Sequence, residues 1–152
     1  MTRSEFLRQL LTDLRAKLDL DAVNDVDDLT WSVVRDIDTR VIATLDEAGE
    51  FFTLACDLGR PDVELVQSTY ETALIANVVS HRPTTPVLSL KDRSGVLQIT
   101  QTLPVDNITL QAIIPAAREF FRQIDHWRTV LSAGGVVADV VEEIEVPAGF
   151  RV

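Results

Sequence analysis

The residues able to do acid–base, nucleophilic or metal chemistry are few and scattered along the chain. The two histidines, His81 and His126, lie in a proline-containing loop and on the polar face of a predicted helix, so both are interpreted as surface residues. Asp25, Asp27 and Asp28 lack the glycine and the later bidentate glutamate of a calcium loop. No nucleophile elbow, zinc-protease helix or phosphate-binding glycine loop is present. The sequence therefore predicts a non-enzyme without a metal or a cofactor.

One carboxylate pair, Asp36 and Asp38, keeps a catalytic alternative open. The two residues alternate along an extended segment and would share a face, as a pair working in acid–base catalysis requires. A small α+β enzyme using this pair is the least favoured reading, because no nucleophile, base and oxyanion set accompanies it. The single cysteine, Cys56, alternates in phase with Phe52 and Leu54 and is interpreted as core.

The composition predicts one folded domain with an acidic surface. The chain has 152 residues, of which 46% are hydrophobic, and 24 acidic against 14 basic residues give a net charge of −10. Such a surface repels phosphate backbones and anionic lipid, so neither nucleic acid nor a membrane is an expected partner. The start of the chain has no uninterrupted apolar core of a signal peptide, and a cytosolic location is expected.

The first helix is predicted over residues 4–18, where leucines recur every three or four positions. With Phe6 at their edge they form a stripe about 140° wide, typical of a core-facing helix. Thr2 or Ser4 is expected to cap its start. Residues 19–28 hold five aspartates and no basic residue, so a solvated loop is expected there.

The rest of the chain predicts five strands and two more helices. The strands are expected at about 29–37, 40–45, 51–58, 87–91 and 96–103, and the helices at about 62–77 and 107–132. Pro115 is expected to kink or restart the last helix. The order α-β-β-β-α-β-β-α indicates an α+β domain over residues 1–133 with a largely antiparallel sheet. Residues 134–152 form an acidic C-terminal extension, either a loose strand or unordered.

Surplus apolar surface is the most informative feature of the pattern. The second helix carries an apolar sector near half of its circumference, which is typical of a helix serving both its own core and a partner. The outward sheet face is expected to carry Ile42, Phe51, Val87 and Val96, if the strand register allows. Two interpretations stay open: a partner or the tail covers these residues, or they are isolated exposed side chains.

Five segments carry a resemblance to a known family. They are the leucine-rich helix Phe6 to Leu18, the strand Phe51-Phe52-Thr53-Leu54, the helix end Ala73-Leu74-Ile75-Ala76-Asn77, the strand pair Val87 to Asp92 and Gly95 to Ile99, and the last helix with Phe120-Phe121 and Trp127. Their order and spacing resemble the effector-specific type III secretion chaperones of the Tir-chaperone (CesT-like) family. The resemblance covers about residues 4–132, and Pro115 and the extension depart from it.

The resemblance implies a homodimer in the bacterial cytoplasm that binds the N-terminal segment of a secreted effector. Such a chaperone keeps the segment extended and aids its delivery to the secretion apparatus without ATP hydrolysis. The implied dimer-interface residues are Val63, Leu65, Val66, Tyr70 and Leu74. The implied effector-binding residues are Phe6, Ile42, Phe51, Val87 and Val96. A regulatory or scaffold module of the same fold, binding a folded partner, is the second hypothesis.

Overall fold

The structure is a computed structural model that describes residues 1–79 and 85–132. His81 and the extension 134–152 lie outside the described residues. The chain forms two compact units: one combines Met1–Cys56 with Thr100–Arg122, and the other combines Asp57–Ile99 with the end of the last helix from Gln123. Within the described ranges, none of the helices has both the length and the apolar composition that a bilayer span requires.

The first helix, α1, spans Arg3–Leu18 and begins with a capping box. The Thr2 hydroxyl accepts a hydrogen bond from the Glu5 backbone N–H, and the Glu5 carboxylate accepts one from the Thr2 backbone N–H. Two N–H donors at the start of the helix, which have no partner within it, are therefore satisfied together. Leu7, Leu10, Leu11 and Leu14 are buried, as the leucine spacing predicts. Capping by Thr2, one of the two expected caps, is confirmed.

The N-terminus of α1 is also tied to two distant turns of its unit. The Arg3 guanidinium donates to the carbonyl oxygen of Gly49, and its other nitrogen lies 3.2 Å from the Asp106 carboxylate. Gly49 has a φ of 72°, which glycine adopts without strain. The Arg3 side chain therefore contacts two residues that lie 46 and 103 positions further along the chain.

Across residues 1–79 and 85–132, six strands form one antiparallel sheet in the order β1-β2-β3-β4-β6-β5. The strands are β1 (Ala22–Asp27), β2 (Thr30–Asp36), β3 (Thr39–Leu45), β4 (Phe51–Gly59), β5 (Val87–Leu90) and β6 (Leu97–Pro104). The five strands predicted from the sequence agree with β2 to β6 to within one residue at each end. The predicted α+β class with an antiparallel sheet is confirmed.

The prediction of a solvated loop over residues 19–28 is wrong, because β1 occupies most of that segment. Val23 pairs with Val33 and Asp25 pairs with Trp31 on β2, while the last four residues of β1 stay exposed. An edge strand is paired on one side only, so its carboxylates remain in water at little cost. The element order is therefore α-β-β-β-β-α-β-β-α.

The other two helices differ from prediction mainly at their starts. A 3-10 turn at Val63–Leu65 precedes α2 (Val66–Val79), and α3 spans Leu110–Ser132. α3 stays helical through Pro115 and does not restart there. Pro115 is the sixth residue of the helix, so the backbone hydrogen bond that it cannot donate is one of the first within α3.

Each unit has its own buried apolar residues. In the first unit Trp31 meets Phe52 edge to face, with ring centroids 6.5 Å apart. The α1 leucines and Phe120 of the same unit are also buried. In the second unit Leu88, Leu97, Ile99, Ile124 and Trp127 are buried. Cys56 is also buried, which confirms its interpretation as core.

Candidate interaction surfaces

Two side chains of α2 fasten this helix to the hairpin formed by β5 and β6. The Tyr70 hydroxyl donates to the Gly95 carbonyl at 2.8 Å. Gly95 has a φ of 86°, and a Cβ added there would lie 3.1 Å from the Tyr70 oxygen, so glycine suits both the turn and the contact. Near the other end of α2, the Asn77 side-chain amide donates to the Leu88 carbonyl at 2.7 Å and accepts from the Leu88 N–H at 2.8 Å. These contacts fix which side of α2 turns inward.

The inward side of α2 carries small residues, and large apolar residues point outward. Its buried residues are Thr69, Ala73 and Ala76. The Thr69 hydroxyl donates to the Leu65 carbonyl, so its burial leaves no polar group unsatisfied. Val63, Leu74 and Val78 are exposed to 91%, 65% and 42% of their surface. Val63 lies in the 3-10 turn before α2, and Leu74 and Val78 lie on α2 itself. We call these three residues together the outer face of α2.

The hairpin beside α2 adds further apolar surface to the same unit. Val87 and Leu90 of β5 are exposed to 48% and 50%, while Leu88 between them is buried. Val96 lies directly before β6 and is half-buried. Val87 and Leu90 differ in strand parity, so they face opposite sides of β5.

The residues proposed for a dimer interface occupy different positions on this surface. Val63 and Leu74 lie on the outer face of α2, whereas Leu65, Val66 and Tyr70 are half-buried at its flank. Sequence reasoning missed two exposed apolar residues, Val78 and Leu90. Val78 lies four residues after Leu74, so helical spacing alone was enough to place it on the same face.

The sheet of the first unit turns a mainly hydroxyl-bearing face outward. Thr30 pairs with Thr44, Thr44 pairs with Thr53, and the Thr53 and Thr102 hydroxyls lie 3.3 Å apart. Four strands thus contribute one threonine each to a single row. Such a face is compatible with water, because each hydroxyl can hydrogen-bond to solvent or to its neighbour.

Three predicted effector-binding residues lie in this first unit, and the structure does not gather them into one patch. Ile42 is half-buried on the threonine-bearing face, paired with Ser32 and Ala55. Phe51 has the same strand parity as Ala55 but begins β4, about 13 Å away along the strand. Phe6 lies on α1, beside the buried leucine stripe, and is 37% exposed.

The family of the chain follows from its sequence match. A family model described as the Tir chaperone protein (CesT) family matches residues 9–128, which is more than three quarters of the chain. The chain belongs to the CesT family. The matched range runs from α1 into α3 and includes every strand and α2. No curated protein matches the chain.

Solved structures share the fold of this CesT-family chain at low sequence identity. The structure of the HopA1–SchA chaperone–effector complex matches with a TM-score of 0.62 and 20% identity, covering 83% of this chain and 95% of that chain. The ExsC–ExsE complex matches with a TM-score of 0.65 and 13% identity over 87% and 98%. The Yersinia pestis type III secretion chaperone SycH, in complex with a fragment of YscM2, matches with a TM-score of 0.62 and 15% identity over 83% and 99%.

The carboxylate pair weighed for catalysis forms part of a turn. One oxygen of Asp36 accepts from the Asp38 backbone at 2.9 Å, and the other accepts from the Arg35 guanidinium at 2.8 Å. The Arg35 hydrogen bond is the largest cause of a lowered pKa at Asp36, followed by the Asp38 backbone bond. A carboxyl group held ionised in this way is a poor proton donor, and its bonds shape the β2–β3 turn.

Other groups that sequence analysis considered for chemistry have structural surroundings. His126 is half-buried with its ring 5.8 Å from that of Trp127. Among residues 1–79 and 85–132, no three His, Cys, Asp or Glu side chains are grouped to hold a metal ion. A pocket of about 180 Å³ between the end of β6 and the start of α3 is lined mainly by apolar residues, and its carboxylate, Asp106, pairs with Arg3.

Proposed function

We propose that this chain is an effector-specific type III secretion chaperone that works as a homodimer in the bacterial cytoplasm. It binds the N-terminal segment of a secreted effector, keeps that segment soluble and extended, and aids its delivery to the secretion apparatus. The family assignment and the chaperone–effector complexes among the similar structures support this function. The proposal assigns the protein no catalytic activity and no cofactor.

The outer face of α2 is the observation that carries the proposal. A helix that turns alanines inward and Leu74 and Val78 outward, after a turn that exposes Val63, leaves large apolar side chains in water. Burying such a side chain completely contributes roughly 1.5–3 kcal/mol, so covering this face stabilises an assembly. A second copy presents the same face, which suits the two-fold symmetric contact of most homodimers. Leu65, Val66 and Tyr70 flank this contact.

The client-binding role is assigned to apolar residues at several places rather than to one pocket. Phe6, Ile42 and Phe51 in the first unit and Val87 and Val96 in the second are each partly or largely accessible. An extended client can contact separate sites in turn, because its residues span about 3.3 Å each. Extended segments bind through apolar anchors and through strand pairing at sheet edges, and a chaperone of this kind needs no deep pocket.

Co-expression with the proteins encoded beside this gene tests the function directly. The chaperone is expected to copurify with one secreted protein and to protect only the N-terminal region of that protein from protease. A Phe51→Asp variant should weaken capture, whereas Thr12→Asp, at an exposed position of α1, is the matched control. Copurification with a folded, non-secreted protein would support the scaffold hypothesis and contradict the chaperone function.

A further inference from the structure

The pocket of the first unit, between the end of β6 and the start of α3, has an apolar lining and a volume of about 180 Å³. Leu103 and Ile113, which line it, are buried, and Ile108 is half-buried. An apolar cavity of about 150 Å³ holds one benzene molecule. The pocket therefore has room for one aromatic ring.

Two small residues of α3 leave the space in this pocket. Ala112 and Ala116 both line it, and they lie one helical turn apart on the same face of α3. Each side chain is a single methyl group, so a larger residue at either position would fill part of the volume. Apolar atoms that border empty space lose dispersion contacts, and an apolar occupant restores them.

Asp106 gives the pocket a preference for positive charge. Its Oδ1 lies 3.2 Å from the Arg3 guanidinium, and both side chains are more than half exposed. An exposed ion pair contributes little stability, and a carboxylate accepts several hydrogen bonds through its two oxygens. A second cation can therefore bind Asp106 beside Arg3. The pocket fits an aromatic side chain that is followed by a basic one.

The C-terminal extension of this chain carries one such pair. Phe150 is the only aromatic residue of the sequence after Ser132, and Arg151 is the only basic one. The two residues are adjacent, so one can enter the pocket while the other reaches its carboxylate. Both lie outside the described residues.

The extension is long enough to bring Phe150 to the pocket. α3 ends at Ser132, and Ala112 lies 20 residues earlier in the same helix. With a rise of about 1.5 Å per residue, these two positions are about 30 Å apart. The 17 residues between Ser132 and Phe150 span up to about 56 Å when extended. The chain can therefore turn back along α3 with length to spare.

The charges of α3 and of the extension suit this path. Arg118 and Arg122 are exposed near the middle of α3, where Arg122 pairs with Glu119. A segment that covers the distance evenly passes these arginines with its acidic residues, and opposite charges attract within a screening length of about 8–10 Å. The acidic residues of the extension are Asp139, Glu142, Glu143 and Glu145.

We propose that this pocket is a binding site for an aromatic side chain followed by a basic one, and that Phe150 and Arg151 of the same chain fill it. Phe150 occupies the space beside Ala112 and Ala116, and Arg151 pairs with Asp106. The contact ties the extension along α3. This inference goes beyond the proposed function, because neither a client nor a second copy takes part in it.

Nuclear magnetic resonance of the full chain, with labelled isoleucine methyl groups, tests the contact directly. Ile108 and Ile113 line the pocket, so nuclear Overhauser effects from the Phe150 ring to both δ-methyl groups are expected. Phe150→Ala should shift both methyl resonances, because the ring current is lost. Ile144→Ala is the matched control, since it removes another large apolar side chain of the extension and should leave both resonances in place.

Two further changes test the space and the charge separately. Ala112→Leu fills the pocket from an exposed position and should abolish the Overhauser effects, with the other isoleucine resonances unchanged as evidence of an intact fold. Arg151→Glu should weaken the effects at least about twofold, as expected for loss of an exposed ion pair, whereas Arg151→Lys should retain them.

Several results would overturn the proposal. They include no Overhauser effect from Phe150 in the unsubstituted protein, persistence of the effect in Ala112→Leu, and equal shifts in Phe150→Ala and Ile144→Ala. An effect seen only between labelled and unlabelled chains would assign the pocket to the extension of a second copy. Shifts of Ile108 and Ile113 caused by a copurified client, but not by Phe150→Ala, would assign it to the client. An unchanged effect in Arg151→Glu would overturn the pairing with Asp106.

Discussion

The first two helices distribute their large apolar side chains in opposite ways. α1 buries four leucines and leaves polar and charged residues outward. α2 buries one threonine and two alanines, and leaves Leu74 and Val78 exposed. The same forces act on both helices, so the difference shows what each helix packs against: α1 completes a core within its unit, whereas the outer face of α2 has large apolar side chains that its own unit does not cover.

The comparison also separates two ways of holding a helix in place. α1 is held mainly by apolar burial, together with its cap and the Arg3 contacts. α2 buries small side chains and relies more on the Tyr70 and Asn77 hydrogen bonds. Directional bonds fix the rotation of a helix without using its large apolar residues, which leaves those residues available for a partner.

The largest effect is expected from truncating the α1 stripe. Leu7→Ala removes a side chain with no exposed surface and should lower the free energy of unfolding by about 2–5 kcal/mol. Urea denaturation followed by circular dichroism measures the loss. Gln9→Ala, on the exposed side of α1, should change stability by less than about 0.5 kcal/mol. Equal effects of the two changes would mean that the leucine stripe is not the core of this unit.

A charge on the outer face of α2 should act on assembly. Leu74→Asp is expected to raise the dimer dissociation constant at least about 100-fold, because an unpaired carboxylate in an apolar interface costs several kcal/mol. Sedimentation velocity over a concentration series should show the particle falling from twice 16.9 kDa to the mass of one chain. Gln9→Asp adds the same charge on α1 and should leave the dimer intact. A dimer that survives Leu74→Asp contradicts the proposed interface.

Removing a hydrogen bond that attaches α2 to the β5–β6 hairpin should have a smaller effect on stability. Tyr70→Phe removes the bond to the Gly95 carbonyl and should lower stability by about 1 kcal/mol. The bond lies within one protomer, so the loss should be the same in a monomeric Leu74→Asp background. A loss seen only in the dimer would instead assign the Tyr70 hydroxyl to the interface. Chemical denaturation of the unsubstituted protein, the two single variants and the double variant completes the required double-mutant cycle.

The smallest effect on stability is expected from the protonation of two aspartates, which lie in similar turns, one in each unit. Asp36 accepts from the Asp38 backbone and Asp92 accepts from the Ser94 backbone, and the pKa of each carboxyl is lowered from the ordinary value of 3.8. A side-chain hydrogen bond is the largest cause in both, from Arg35 to Asp36 and from Ser94 to Asp92. A lowered folded-state pKa contributes stability above pH 3.8 that is lost as the pH falls below it.

Asn substitutions test this dependence on pH. Asp36→Asn and Asp92→Asn each keep one acceptor oxygen and remove the titration, so each should flatten the fall of stability below pH 3.8. Unfolding free energies measured at several pH values between 3 and 5 provide the slope. An unchanged slope in both variants would mean that other carboxyl groups account for the acid sensitivity.

Much of the fold is predictable because its elements have strong local signals. The α1 leucines follow helical spacing, and β3 and β4 alternate buried and exposed residues along their length. β1 has no such signal, since its sequence, Ala-Val-Asn-Asp-Val-Asp, resembles an acidic loop. Its strand conformation comes from pairing with β2, a tertiary contact that residue preferences do not contain.

The candidate surfaces are predictable only in part, for a different physical reason. The apolar sector of α2 is wide enough that the wheel alone does not say which half turns inward, and its charged residues are too few to decide. The rotation is set by Asn77 and Tyr70, whose partners are backbone groups 11 and 25 residues away. Backbone acceptors have no sequence signature, so neither contact is visible before the fold is known.

The contacts of Arg3 have a consequence for how the protein is made. During translation this side chain leaves the ribosome 103 residues before Asp106. The first unit also includes Thr100–Arg122, so its hydrophobic interior stays incomplete until these residues have emerged. Closing so long a loop is slow compared with forming a local helix. The nascent chain therefore carries an undocked α1 until residues 100–122 are available.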